Sequence, residues 1–231
     1  MPLEAVRGAA DALGMPAGAR VLEIGAGAGQ LTVALVEAGL RVVALEPGPS
    51  LRQRAKERAP AAEVVGDTFE EFIAGRRFDA VFSSNAFHWV DPEVAYVKAS
   101  EVAHALVLVW DLPFIADPEL HRRVQEEAMS PRGSTFPTTE AGVGELFERE
   151  LARARDDLAA SARFQTPWWT MLERRYEYTS DEYVSLLRSM SYVASLPEED
   201  RAKLTADLRS VLGAAPFTIV DLVYVLAARS A

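Results

Sequence analysis

Hydrophobic and polar positions along the chain fall into short apolar runs separated by stretches of helical spacing. Leu3, Val6, Ala10 and Leu13 share one helical face, and Gly14 and Pro16 stop that helix. Residues 20–24 form an apolar run of strand length. Glycine then occupies every second position from Gly25 to Gly29, and Leu31, Ala34, Leu35 and Ala38 open a helical stripe that ends at Gly39. A β-branched run over 41–45 closes on Glu46-Pro47-Gly48-Pro49. Ser50 is positioned to cap a basic helix reaching Arg58. A short strand over 63–65 stops at Gly66-Asp67, a helix is predicted over 69–74, and a fourth strand over 79–83 runs into Ser84-Asn85-Ala86-Phe87-His88-Trp89-Val90. Asp91-Pro92 is a cap followed by an N1 proline, and a fifth strand covers 105–110. Strict alternation of strand and helix predicts a parallel sheet with helices on both faces.

The stretch 115–163 breaks this rhythm. It predicts helices over 118–129 and 141–159, with a loop rich in proline and hydroxyl residues over 131–137. The expected architecture is one domain, 1–231, with a helical cap inserted at 115–165 after strand five. A strand over 169–178 resumes the core. Thr179 and Glu182 have capping-box spacing before a stripe of Tyr183, Leu186, Leu187, Met190, Val193 and Ala194. Ser195 and Glu198 repeat that spacing before a helix carrying Leu204, Leu208, Val211 and Leu212. A long apolar strand over 217–227 closes the chain.

Composition narrows the classes of function. The 231 residues suffice for one good core. A formal net charge of −10 argues against nucleic acid as the main partner and against docking on anionic membranes. Without cysteine there is no disulfide and no thiolate metal site, and three scattered histidines (His88, His104 and His121) suggest no metal centre. His104 and His121 are expected at the surface. No signal-peptide pattern and no membrane-length apolar run is visible, so a cytoplasmic protein is expected. The run Arg52, Arg54, Lys56 and Arg58 alternates around its helix and is expected to face water.

The glycine stretch carries the chemistry. Strand, glycine turn and helix together make a nucleotide-binding crevice, in which ligand lies on bare backbone and faces unpaired helix N–H groups. Glu23, Glu46 and Asp67 stand at three successive strand ends, on the edge where ligands bind. A carboxylate such as Glu46 accepts from both hydroxyls of a ribose at once. The position where a dinucleotide site has its next glycine holds Gln30. The residues alone therefore indicate acidic groups around a nucleoside.

The chain resembles the class I S-adenosylmethionine-dependent methyltransferases of the small-molecule methyltransferase-domain type. The matching segments are Glu23-Ile24-Gly25-Ala26-Gly27-Ala28-Gly29, Leu45-Glu46-Pro47, Gly66-Asp67, Phe78-Asp79-Ala80-Val81-Phe82-Ser83, Phe87-His88-Trp89-Val90 and Leu108-Val109-Trp110. The resemblance implies a Rossmann-like α/β fold. Its seven-stranded sheet is mostly parallel, with an antiparallel last strand inserted next to the edge. It also implies a cofactor, S-adenosylmethionine, leaving as S-adenosylhomocysteine, with a small-molecule acceptor methylated at oxygen or nitrogen. Residue by residue, Gly25, Ala26, Gly27 and Gly29 would cradle the methionine portion and ribose. Glu46 with Pro47 would bind the ribose hydroxyls, and Asp67 with Thr68 and Phe69 would receive the adenine. Asn85 and Ala86 would line the reactive methyl, and Glu23 would receive the methionine ammonium.

Relatives commonly carry an N-terminal lid segment and a Pro-Gly-Gly turn before strand five. Here the first core helix comes almost at once, and Val102-Ala103-His104-Ala105 stands in the turn. His88, just after strand four, is the candidate base; packing of the crevice wall is its alternative role. Trp89, Trp110 and Phe114 are candidate lining for an acceptor pocket between the sheet's carboxyl edge and the cap. Two other readings compete: an S-adenosylmethionine-binding protein without catalysis, and a nicotinamide-dependent oxidoreductase. Gln30 and the lack of a Tyr-x-x-x-Lys pair weigh against the latter. The expected assembly is a monomer or a homodimer.

Overall fold

The computed structural model describes residues 1–231, apart from the side chains of Ser189, Ser191 and Ala194. Seven strands form one sheet: β1 (Arg20–Ile24), β2 (Arg41–Leu45), β3 (Glu63–Val65), β4 (Ala80–Ser84), β5 (Ala105–Ile115), β6 (Trp168–Tyr178) and β7 (Phe217–Arg229). Their order is β3-β2-β1-β4-β5-β7-β6. The pairs β3·β2, β2·β1, β1·β4 and β4·β5 are all parallel. β7 runs antiparallel beside β5: His104 and Ala116, flanking β5, bond to Ser230 and Thr218, so partner numbers fall as numbers along β5 rise. Insertion of the last strand between β5 and the edge strand β6 agrees with the expected topology. The order steps outward in both directions from β1 and β4, and ligands bind at such a switch point, beyond the carboxyl ends of the strands.

The chain divides into two compact units, with β5, β6 and β7 each passing from one to the other. The first comprises Met1–Asp111, Arg153–Leu172 and Val223–Ala231. Its strands are buried on both faces, which is why they read as continuous apolar runs rather than alternations. One face packs against α1 (Leu3–Ala12) and α2 (Gln30–Glu37), with Val21, Phe82, Val107 and Val109 meeting Val6, Leu31 and Leu35. α3 (Pro49–Arg58) begins with proline at N1 and Gly48 at its cap, two residues ahead of Ser50, the cap expected from sequence. α4 (Pro92–Val102) is capped by Asp91, whose side chain accepts from the Glu93 N–H.

The second unit comprises Leu112–Ala152 and Glu173–Leu222. It holds α5 (Pro118–Arg123), which widens into a π-turn over Val124–Met129, and most of α6 (Glu140–Ser161). It also holds α7 (Ser180–Ser189), α8 (Ser191–Ser195) and α9 (Glu198–Leu212). Its core gathers Ile115, Val124, Met129, Tyr183, Leu187, Leu204, Leu208 and Ile219.

Three sequence expectations are corrected. Residues 69–74 form a turn rather than a helix. The Phe72 N–H does reach the Thr68 carbonyl, and Phe69 and Phe72 are packed, but Ile73 is 88% exposed and Gly75 follows, so one turn is too short to offset the cost of nucleating a helix. The capping box of Thr179 and Glu182 is present, whereas that of Ser195 and Glu198 is not. Ser195 lies in α8 and donates to the Tyr192 carbonyl, and Pro197 occupies the cap of α9. The single stripe from Tyr183 onward is broken at Met190, whose extended backbone separates α7 from α8; the side chain of Ala194 lies outside those described. Among the described residues, no helix is long and apolar enough to cross a membrane.

Candidate functional site

The site is built on the turn that follows β1. Two of its glycines have distinct jobs. Gly25 sits at φ +71°, and a Cβ there would come 2.4 Å from the Ala86 Cβ, so a side chain at this position would drive the β1 and β4 turns apart. Gly27 sits at φ +57° with nothing within 4 Å of the point where a Cβ would stand, so its bare backbone faces open space. The turn is held by backbone bonds: the Gly25 and Ala26 N–H groups both donate to the Leu45 carbonyl at 3.0 Å, and Gly29 donates to Ala26 at 2.9 Å. Gly29 caps α2 and offers no capping side chain of its own.

Two carboxylates flank this turn. Glu46, following β2, is almost buried. Its Oε2 accepts from the Gly27 N–H at 2.7 Å and its Oε1 from the Gly48 N–H at 2.8 Å. Glu23, on β1, is 1% exposed, and its Oε2 has no hydrogen-bond partner among the described residues. Burial is the main force raising the affinity of Glu23 for a proton, with the nearby negative charge of Glu46 adding to it. Thr32 in the first turn of α2 pulls the other way, and the carboxyl is pushed up to about 7. Pro47 follows Glu46 in the loop to α3, and its carbonyl and that of Glu46 are clamped by the Arg52 guanidinium at 2.8 and 2.9 Å. Arg52 also packs against Gly66, and Arg58 reaches the Ala28 carbonyl at 3.4 Å. Arg52 and Arg58 therefore brace the glycine and acidic loops instead of simply facing water. Sequence reading missed this because their acceptors are backbone carbonyls, which leave no trace in residue identity.

Asp67 is exposed just past β3. Beside it, Thr68 bonds to Glu71, and the Phe69 ring is buried beneath the Lys98 ammonium, 5.3 Å from its centroid. Phe69 thus anchors the loop and, at 2% exposure, presents no open surface to a ligand.

The other wall is the end of β4. The Ser83 hydroxyl ties this strand to the Ile24 carbonyl at 3.0 Å. Asn85 adopts φ +50°, a conformation open to asparagine more than to most residues. Its amide is fixed on both sides: Nδ2 donates to the Asp111 carbonyl at 2.8 Å, and Oδ1 accepts from the Asp111 N–H at 3.2 Å. Ala86 leads into a 3₁₀ turn over Phe87–Trp89. Phe87 packs on Tyr96, with ring centroids 5.2 Å apart. His88 is exposed on this turn, 5.1 Å from the Trp89 ring, and Trp89 itself is 75% exposed. Trp110 is half-buried on β5. Phe114 belongs to the second unit, where it is buried against His121. Contrary to expectation, His121 is also buried. It shares a 3.0 Å hydrogen bond with the Pro137 carbonyl, and burial lowers its proton affinity. His104 is exposed, as expected. Among the described residues no cluster of three or more His, Asp or Glu side chains is arranged to hold a metal ion.

Residues 22–105 match the family model described as "Methyltransferase domain". An uncharacterised methyltransferase of Mycobacterium tuberculosis is 30% identical over 207 residues, covering 87% of this chain and 77% of that protein. The chain belongs to the class I S-adenosylmethionine-dependent methyltransferases. A second uncharacterised methyltransferase, from Geobacillus kaustophilus, is 28% identical over 191 residues, covering 80% of this chain and 74% of its own. Among solved structures, a methyltransferase of Anaeromyxobacter dehalogenans superimposes with a TM-score of 0.61 at 21% identity, covering 99% of this chain and 96% of that one. An S-adenosylmethionine-dependent methyltransferase of Thiobacillus denitrificans, solved with S-adenosyl-L-homocysteine, gives 0.50 at 16% identity, covering 98% and 91%. In this methyltransferase the matched region spans the glycine turn, Glu46, Asp67 and the His88 turn, the same set of strand ends that the fold brings together.

Proposed function

We propose that this methyltransferase transfers the methyl group of S-adenosylmethionine to an oxygen or nitrogen of a small molecule, at the carboxyl edge of the first unit. The observation that carries this reading is the buried, unpartnered Oε2 of Glu23, placed two residues before the glycine turn. Thr32 serves the carboxyl from the start of α2, yet its Oε2 still lacks a donor, and the cofactor's α-ammonium is one. The open face of Gly27 provides the cradle beside it. Glu46 is held by two backbone donors, yet each of its oxygens keeps acceptor capacity for a ribose hydroxyl. Asp67 is exposed and suits the adenine amino group, with the half-buried Thr68 beside it and the buried Phe69 anchoring the loop. Ala86, against Gly25, and the clamped Asn85 then border the methyl end.

When bound, the cofactor supplies an electrophilic methyl carbon on a cationic sulfur. The protein's part is alignment and proton handling. His88, exposed on the 3₁₀ turn next to Ala86, is suited to take the proton an acceptor O–H or N–H must lose, while Trp89 and Trp110 offer apolar surface for its body. A small acceptor is favoured over nucleic acid by the net charge of −10. Calorimetric titration with S-adenosylmethionine, S-adenosylhomocysteine and NAD tests the crevice. The two sulfur nucleosides should bind and NAD should not; binding of NAD alone would overturn the reading.

A further inference from the structure

Arg52, half-buried on α3, touches two loops that carry different halves of the nucleoside site. Its Nη1 donates to the Glu46 carbonyl at 2.9 Å and to the Pro47 carbonyl at 2.8 Å. The second bond reaches the Glu46 carboxylate through the backbone. The Pro47 carbonyl and the Gly48 N–H belong to one planar trans peptide, so they point in opposite directions. A donor holding the oxygen side therefore keeps the N–H side on Glu46, whose Oε1 accepts from it at 2.8 Å. Only glycine permits so close an approach, because a Cβ on Gly48 would stand 2.8 Å from the same oxygen.

The same guanidinium covers Gly66, the residue before Asp67. A Cβ on Gly66 would meet Arg52 Nη1 at 3.1 Å, Cζ at 3.2 Å and Nε at 3.5 Å. Gly66 is not among the glycines at positive φ, so room for Arg52, and not backbone conformation, favours glycine there. The two loops leave neighbouring strands joined by one backbone bond, from the Glu46 N–H to the Val65 carbonyl at 3.0 Å, and Arg52 carries that link past the end of the sheet. A planar guanidinium can donate to two carbonyls while lying flat on a third segment; a lysine ammonium cannot.

We propose that Arg52 is a positioning residue that locks the ribose-binding and adenine-binding loops into one unit, and so sets the discrimination of adenine from other bases. The inference rests on the nucleoside site proposed above, with Glu46 at the ribose and Asp67 at the adenine amino group. Arg52 touches neither ligand group in this scheme; it acts through the Pro47–Gly48 peptide and through Gly66.

The test titrates the full chain calorimetrically with S-adenosylhomocysteine and with S-inosylhomocysteine, which has an oxo group in place of the adenine amino group. Wild-type protein should prefer the adenosyl compound by about tenfold or more, because the oxo group sets an acceptor against Asp67. Arg52→Ala should weaken S-adenosylhomocysteine by about tenfold or more and cut the preference to about threefold or less, with Arg52→Lys in between. Loss of folded protein alone leaves this ratio unchanged, and Arg52→Lys carries the test where Arg52→Ala does not fold. Gly66→Ala, which displaces the guanidinium, should weaken S-adenosylhomocysteine in the wild-type background and add little in Arg52→Ala. An unchanged preference in the Arg52 variants, or full additivity of Gly66→Ala and Arg52→Ala, overturns the proposal alone. A wild-type chain that binds neither compound, or both equally, overturns the reading of the nucleoside site, and the proposal with it.

Discussion

Replacing Glu23 by glutamine should stabilise the protein while weakening its cofactor. In the unfolded chain Glu23 loses its proton near the ordinary glutamate value of 4.5, whereas in the folded chain it holds the proton until about pH 7. Between these values the folded state binds more protons, so stability falls as pH rises through this window. At about 1.36 kcal/mol per tenfold change in proton affinity, the ionised group costs about 3 kcal/mol above pH 7 and nothing below about pH 4.5. Glu23→Gln keeps the shape and removes the charge. Urea melts of both proteins at pH 5.5, 6.5 and 8 isolate this residue, because other titrations cancel in the difference. The variant's relative stability should grow with pH and reach up to about 3 kcal/mol at pH 8, which in a parallel thermal melt is roughly 6–12 °C for a chain of this size. Its affinity for S-adenosylhomocysteine should fall about tenfold or more, since a charge-assisted bond to the ammonium contributes about 1.5–3 kcal/mol. Two pH curves that run parallel, or a variant that loses relative stability toward pH 8, would refute the argument from burial.

Glu46→Ala should weaken S-adenosylhomocysteine by about 1.5–3 kcal/mol, read by calorimetry, because it removes the acceptor for the ribose hydroxyls and frees the Gly27 N–H. Gly25→Ala should destabilise the fold by about 1–3 kcal/mol through strain at positive φ and collision with Ala86. Adding Ala86→Gly should recover the collision part in denaturant melts and leave the backbone part. With an acceptor in hand, His88→Ala should remove the acid limb of the kcat/KM profile against pH if His88 takes the proton. A profile of unchanged shape assigns His88 to the wall.

Much of the fold was legible because parallel strands buried on both faces leave unbroken apolar runs, and Gly25 to Gly29 leaves a turn that few other sequences permit. Glu46 could be placed because it follows directly on such a run. The illegible parts share a cause: they depend on where distant backbone lies. Arg52 reads as a solvated helix residue until the carbonyls of Glu46 and Pro47 appear beneath it. Asp111 fell past the expected end of the fifth strand, which in fact continues to Ile115 as β7 pairs alongside it. His121 has the spacing of an exposed helix position, and its burial depends on Phe114 and Phe136 arriving from other segments. The helix expected over 69–74 does not form although Phe69 is buried and Phe72 packs on Phe78, because Ile73 points into water and Gly75 follows at once.

The two backbone donors on Glu46 also bear on how firmly a ligand is held. A free glutamate side chain samples many rotamers, and immobilising it costs on the order of 1.5–2 kcal/mol of conformational entropy. Here the Gly27 and Gly48 N–H groups immobilise the carboxylate when the chain folds. An arriving ribose therefore meets an acceptor that is already still, and the binding step need not freeze it. Substitutions that loosen either donor, such as a displaced Gly48 turn, should appear as a lost entropic advantage in binding even though every ligand-contacting atom remains in place.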